Sequence, residues 1–383
     1  MSIGSHEQLG EGCRRPIGAR ILPMVIYCFD PERGRRWTER LMGIRPQFAC
    51  VLGFTETALI AGISAAGLTP EARRFTALGD GEVLLTGYSK RLPSAPEGYP
   101  SPVVISRAVA ELLGLPVRVF DAGLPETCEG AVHLGGSPAR CLSTGRALAP
   151  DTVAHLFAQG LAWGERLADA GGYLAIGECV AGGTTTALAV LRALGHAADG
   201  LVSSSHPRCN HTQKGALVDL AIANAALPKD ASALAILAAL GDPAQPAIAG
   251  MAIAASRRVP VLLAGGTQML AVAAVAERLA AEAGLGWRPE QIAVGTTRWV
   301  AADPTADAAL LAARIGVVPL LAAALDFSHS RHSALQAYER GYVKEGVGAG
   351  GLAIAAELAG IDSERLLAAI DDWLDRWNLP APV

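Results

Sequence analysis

The stretch Tyr173-Leu174-Ala175-Ile176-Gly177-Glu178-Cys179-Val180-Ala181-Gly182-Gly183-Thr184-Thr185-Thr186-Ala187 decides the fold. An apolar run stops at Gly177-Glu178, two glycines follow, and helix formers continue from Ala187 to Leu194. A strand, a glycine turn and a helix opening at a threonine make a βα unit. Its free backbone N–H groups and positive dipole end face an anion, of which a phosphate is the obvious example. Gly182, Gly183, Thr184 and Thr185 are therefore candidate phosphate contacts, and Glu178 stands at the strand's carboxyl end. A second glycine-flanked glutamate, Glu345, follows 167 residues later in Lys344-Glu345-Gly346-Val347-Gly348-Ala349-Gly350-Gly351. There Gly346 and Gly348 let a ligand approach the main chain closely.

Outward from this unit, apolar strand-like runs alternate with longer helical patterns, which predicts an α/β fold: a Rossmann-like open parallel sheet with helices on both faces. The predicted strands are 48–53, 117–121, 173–177, 233–238, 259–264 and 291–295. The predicted helices are 103–113, 152–170, 185–194, 214–226, 245–255 and 268–283. The strands end in polar or glycine-rich loops, where ligands of open α/β sheets collect. Glu56 in Phe54-Thr55-Glu56-Thr57 is one such strand-end group, with Thr55 and Thr57 placed to cap the next element. Gly265-Gly266-Thr267 repeats the strand-to-helix setting, either as a second phosphate or ribose contact or as a plain turn. The proline-rich segment 68–102 reads as a long excursion that covers or abuts the site. Residues 46–325 are expected to form the α/β nucleotide-binding domain. Residues 1–45 with 326–383 are expected to form a small helical subdomain carrying the Glu345 loop, Ser363 capping its last helix.

The chain has 383 residues, 51% hydrophobic and 18% charged, enough to bury a large core. A net charge of −4 gives no basic field for nucleic acid. No apolar stretch nears the ~20 residues that span a bilayer, and the first residues lack a hydrophobic signal core, so a cytoplasmic location is expected. Seven scattered cysteines without a CxxC pair suggest reduced thiols. His206-Pro207-Arg208-Cys209-Asn210-His211 offers three metal donors but no matching distant pair, so a polar loop near a sugar phosphate is preferred and no metal is expected. The segment Gly182–Ala187 has no following lysine, which argues against a P-loop phosphotransferase.

Gly177–Ala187, Ala239–Gly266 and Lys344–Gly351, in this order, resemble the nicotinate-nucleotide:dimethylbenzimidazole phosphoribosyltransferase family of cobalamin lower-ligand synthesis. Phe54–Glu71, Gly98–Ala108, Asp121–Glu126 and Leu134–Leu148 look more closely like its archaeal and cyanobacterial branch. The resemblance implies a homodimer and, with no cofactor, transfer of phosphoribose from nicotinate mononucleotide to a benzimidazole or purine base. Glu345 then matches the glutamate assigned as general base, and Glu178 a second active-site glutamate. The sequence departs from the family pattern at Gly183, where an Asn is usual, and Ser203-Ser204-Ser205-His206-Pro207-Arg208 replaces a glycine-rich segment, making Ser204 a candidate substrate contact. A base near the reference pKa of ~4.3 would be weak, so burial is expected to raise Glu345; Lys344 beside it either opposes the shift or points the other way across the turn.

Overall fold

The computed structural model describes residues 25–90 and 98–377. Eight strands form one sheet: β1 (Val25–Phe29), β2 (Pro46–Gly53), β3 (Val117–Gly123), β4 (Val132–His133), β5 (Tyr173–Cys179), β6 (Val261–Ala264), β7 (Ile292–Thr297) and β8 (Leu320–Ala323). Their spatial order is β1-β8-β7-β6-β5-β2-β3-β4, parallel throughout except for the antiparallel pair β1 and β8. The chain runs outward from β2 through β3 to β4, then returns to β5 and winds the other way. The order therefore reverses between β2 and β5, and ligands of doubly wound sheets bind beyond the strand ends at such a reversal.

The helices are α1 (Pro31–Glu39), α2 (Thr76–Thr86), α3 (Val103–Leu113), α4 (Pro150–Ala168), α5 (Gly183–Ala193), α6 (His211–Ala225) and α7 (Ala233–Leu240), followed by α8 (Ala244–Ser256), α9 (Thr267–Ala283), α10 (Arg298–Ala301), α11 (Ala308–Ile315), α12 (Gln336–Glu339), α13 (Ala349–Leu358) and α14 (Ser363–Trp377). Alternation along each strand divides the core in two. Leu174, Ile176, Val261 and Leu263 face α4, α5 and α7 to α9. Tyr173, Ala175, Cys179 and Leu262 face α1 to α3, α13 and α14. Every residue of β5 is buried, as a central strand covered on both faces requires.

Three expectations fail here. Residues 233–238 form helix rather than strand: Ala-Leu-Ala-Ile-Leu-Ala-Ala-Leu is rich in good helix formers, and the Ser232 side chain accepts from the Ala235 N–H as an N-cap. The 1–45 region, expected to be helical, contributes β1, whose partner β8 lies some 300 residues on; residues 1–24 lie outside the described ones. The last helix is capped by Asp362, whose Oδ1 accepts from the Arg365 N–H at 2.8 Å, and not by Ser363. The 68–102 excursion contains α2 and returns to the sheet edge at Ser101-Pro102, so it does abut the site; its residues 91–97 are outside the described ones.

Candidate active site

The βα unit at residues 173–187 forms, with its helix starting at Gly183 and not at the expected threonine. Strand β5 ends at Glu178-Cys179, Gly182 takes the left-handed conformation (φ +84°) that glycine tolerates, and α5 begins at Gly183. The N-terminus of α9 at Gly266-Thr267 lies on the same cavity, so two helix starts point donors at one space. That space encloses about 830 Å³ free of atoms, its mouth included, beyond the β5, β6 and β7 ends.

Glu345 reaches the cavity from the other side of the sheet. Helix α13 comes so close to β7 that a Cβ on Gly350 would sit 2.0 Å from the Thr296 carbonyl carbon, which is why the loop ends in Ala-Gly-Gly. That approach lets the Glu345 carboxylate collect four donors. Oε2 accepts from the Thr296 hydroxyl at 3.0 Å and the Thr297 N–H at 2.9 Å; Oε1 accepts from the Gly346 and Gly350 N–H groups, each at 3.1 Å. Val343, Lys344 and Val347 all carry positive φ (65°, 63° and 56°), a strained backbone for non-glycine residues and for valine above all. The Val347 N–H donates to the Glu178 carbonyl at 2.9 Å, so the two glutamate loops are stitched together by main chain.

The carboxyl groups here have lost water and gained no cation. Burial pushes Glu178 up to about 8, helped by the charges of Asp242 and Glu345, against one backbone hydrogen bond from Val180. Burial also pushes Glu345 up to about 7 despite its four donors. Asp80, on α2, is likewise buried and raised to about 7. Behind Glu178, buried Asp242 rises to about 6 while its oxygens accept from the Thr186 hydroxyl and the Ala244 and Gln245 N–H groups. None of these four carboxyls makes an ion pair with a described residue.

Of the two settings open to Lys344, the structure shows the second. Lys344 turns the opposite way and pairs with Asp303 at 2.5 Å, both side chains almost fully buried. Burial acts to raise Asp303, but the Lys344 ammonium and the Thr305 donors hold it below the usual carboxylate range. Ser203, Ser204 and Ser205 line the cavity beside Lys344. The Ser203 hydroxyl donates to Asp303, and its carbonyl accepts from the ammonium of Lys214 at 2.7 Å. Lys214 is fully buried, and burial lowers it to about 8. The cavity thus has an acidic wall of Glu178, Glu345 and Asp80 and a serine-lined end backed by two buried lysines.

Of the residues singled out in the sequence, Glu178, Glu345, Gly182, Gly183, Thr184, Ser204, Gly266, Thr267 and Gly346 line the cavity. Four others do not. Thr185 points into the protein, about 100° around the helix from Thr184. Gly265 directly follows β6 and is tied to β7, its N–H donating to the Gly295 carbonyl. Gly348 is the N-cap of α13 and packs on Phe48 and Gly177. Glu56 is exposed on the turn capped by Thr55, and its Oε2 accepts from the Cys141 N–H. In the His206–His211 loop the donors diverge: Cys209 turns to Asp303 and His211 to the Thr305 carbonyl. Arg331, shortly before the Glu345 loop, is held by Asp372 and Asp375 on α14. The sequence reading missed Asp80, Ser101, Gln268, Lys214 and Asp303. Asp80 alone gave a signal, as a charge set between Gly79 and Gly81 in a helix whose other charge is Glu82.

A family profile described as Phosphoribosyltransferase matches residues 104–287. The fold is similar to that of CobT from Thermus thermophilus, with a TM-score of 0.57 at 19% identity over 85% of this chain and 84% of that one. It is also similar to a nicotinate-nucleotide-dimethylbenzimidazole phosphoribosyltransferase from the same organism, with a TM-score of 0.53 at 18% identity over 89% and 94%. The matched profile is that of a phosphoribosyltransferase, and the sheet has the α/β fold of both solved structures. Among relatives, a UPF0284 protein of Gloeobacter violaceus is 94% identical over 98% of this chain and all of its own length. One from Cyanothece sp. is 55% identical over 89% and 94%. The chain belongs to the UPF0284 family, and these relatives occupy the cyanobacterial branch that the sequence motifs resemble. No helix among the described residues is long and apolar enough to cross a membrane.

Proposed function

We propose that this chain transfers the phosphoribosyl group of nicotinate mononucleotide to a ring nitrogen of a benzimidazole-type base, releasing nicotinate and an α-ribotide. The observation that carries the reading is the acidic wall. Glu178, Glu345 and Asp80 are buried on one cavity, and none of them pairs with a described basic side chain, Lys344 being taken by Asp303. Such a wall is raised in pKa while empty and relaxes when a cation enters. The pyridinium ring of a nicotinate nucleotide, and the oxocarbenium character that develops as it departs, are cations of that kind. The N-termini of α5 and α9 and the serines backed by Lys344 and Lys214 supply donors for the phosphate and ribose hydroxyls.

In the step itself the bond from the anomeric carbon to the pyridinium nitrogen breaks, and its electron pair goes to nicotinate. A bond forms from the anomeric carbon to the base nitrogen that carries the lone pair. The proton on the other azole nitrogen goes to Glu345, whose raised pKa near 7 suits a general base at neutral pH. Glu178, ionised by the bound cation, stabilises positive charge at the sugar. The reading includes a homodimer and treats the helices from α12 onward as the part that presents Glu345 to a nucleotide-holding sheet.

Chromatography of products from nicotinate mononucleotide offered dimethylbenzimidazole, adenine or no base tests it. Nicotinate and a ribotide appearing together is the expected result. Nicotinate with free ribose 5-phosphate in every arm would make the chain a hydrolase, and no release of nicotinate would end the proposal.

A further inference from the structure

Asp80 takes no part in the step just described, yet it lines the same cavity. It reaches there from α2, where Thr76, one turn earlier, also faces the space. It is 1% exposed. Its Oδ1 accepts from the Ser101 hydroxyl at 2.7 Å and its Oδ2 from the Cys179 thiol at 3.1 Å. Ser101 is itself fixed, its oxygen accepting from the Val103 N–H at the start of α3. A carboxylate offers about four lone-pair positions. Two are used, and no described basic side chain pairs with the group. A buried carboxyl costs free energy unless its remaining capacity is met.

The side of the sheet from which Asp80 enters indicates what meets it. Cys179 and Glu178 are neighbours on β5 and so point to opposite faces. Asp80 bonds Cys179, and its helix packs on α3 within the apolar cluster that also holds α13, which is the Glu345 face; both Asp80 and Glu345 act on Tyr338 from there. Pro102, next to Ser101, lies against Gly346. Glu178 and the α5 N-terminus belong to the opposite face. A base whose azole N–H meets Glu345 therefore has its six-membered ring within the part of the cavity that Asp80, Ser101, Ala65, Ala66 and Val347 share.

We infer that Asp80 is a specificity-determining residue. It accepts a hydrogen bond from a hydroxyl or amino group on the six-membered ring of the acceptor, so that the site takes a donor-bearing azole in preference to a methylated one. The inference rests on the phosphoribosyl-transfer reading above. A methyl group set against Asp80 leaves its free lone pairs buried and unmatched. Sites built to bond a polar substituent reject the analogue lacking it far more strongly than an apolar pocket separates methyl-sized differences.

The test is equilibrium binding, by calorimetry, of 5-hydroxybenzimidazole and 5,6-dimethylbenzimidazole to the full chain without nucleotide. It is made for the wild type, Asp80→Leu and Asp80→Asn, with thermal unfolding as the fold check. The wild type is expected to bind the hydroxyl base about tenfold or more tightly than the dimethyl base. Asp80→Leu is expected to lose that preference, and Asp80→Asn, which keeps the shape and one oxygen, to fall between. Equal or tighter binding of the dimethyl base by the wild type overturns the inference, as does failure of both bases to bind. If Asp80→Leu does not fold, an unchanged preference in Asp80→Asn overturns it. Because binding is read without turnover, a protein that prefers the hydroxyl base but transfers nothing would sink the reaction and leave this specificity standing.

Discussion

The two glutamate loops are joined by one main-chain hydrogen bond and yet treat their carboxylates in opposite ways. Glu345 is held by four donors, one of them the Gly350 N–H in the first turn of α13, so its anion is oriented and partly compensated. Glu178 has one backbone donor and faces the charges of Asp242, Glu345 and Asp80. The first arrangement holds a carboxylate in place, as the proposed general base requires. The second stores an unfavourable negative potential that only an incoming cation relieves. Two residues of the same type in one cavity thus acquire different electrostatic settings from their surroundings.

The change expected to act most strongly is Glu345→Gln, which keeps the shape and removes the proton acceptor. Turnover with an azole that must lose its N–H should fall by roughly 10²- to 10⁴-fold, the usual worth of a positioned general base. A base already deprotonated in solution should recover part of the loss. Near-normal turnover of Glu345→Gln with dimethylbenzimidazole would break the contrast, because the four-donor cradle would then be only a helix cap. Next in size is Lys344→Met. Lys344 is the partner of buried Asp303, and removing one member of such a pair costs on the order of 3–5 kcal/mol by stranding the other charge. Urea unfolding reads that loss, and a change below ~1 kcal/mol would mean that water or a moved Lys214 replaces the ammonium.

Much of this contrast was legible before any coordinates. The βα unit at 173–187 and both glutamates announced themselves because glycine is required where backbone must turn sharply or pass close to backbone, and such positions show in one sequence. What stayed hidden depends on partners distant in the chain. Nothing in Val25–Phe29 announces that Leu320–Ala323 will pair with it. The apolar run at 233–240 has no period to separate a buried helix from a buried strand, and its alanines decided the matter. Glu56 has the same strand-end setting as Glu178, but a 3₁₀ turn capped by Thr55 rotates it outward. Asp80 enters the cavity only because the 68–102 excursion folds back on β5, a contact no local pattern encodes.

Two smaller effects sharpen the contrast from the Glu178 side. A Glu whose native pKa is near 8 binds a proton that the unfolded chain releases near 4.5, so the native state holds more protons across that window. Stability from this group is therefore present at low pH and lost as pH rises from about 4.5 to about 8, by on the order of a few kcal/mol. Glu178→Gln cannot ionise, so its unfolding temperature should decline less across that range than the wild type's. Equal slopes would place the titration elsewhere, with Glu345 and Asp80 the first candidates since both are also raised. The smallest effect belongs to Asp242→Asn. The amide oxygen can still accept from the Ala244 and Gln245 N–H groups, so the start of α8 should lose no more than ~0.5 kcal/mol. The lost negative charge should bring the Glu178 midpoint down by about half a unit to one unit, read by carboxyl NMR titration. An unmoved midpoint would strike Asp242 from the causes and leave Glu178 poised by burial, the largest of them, with the charges of Glu345 and Asp80 beside it.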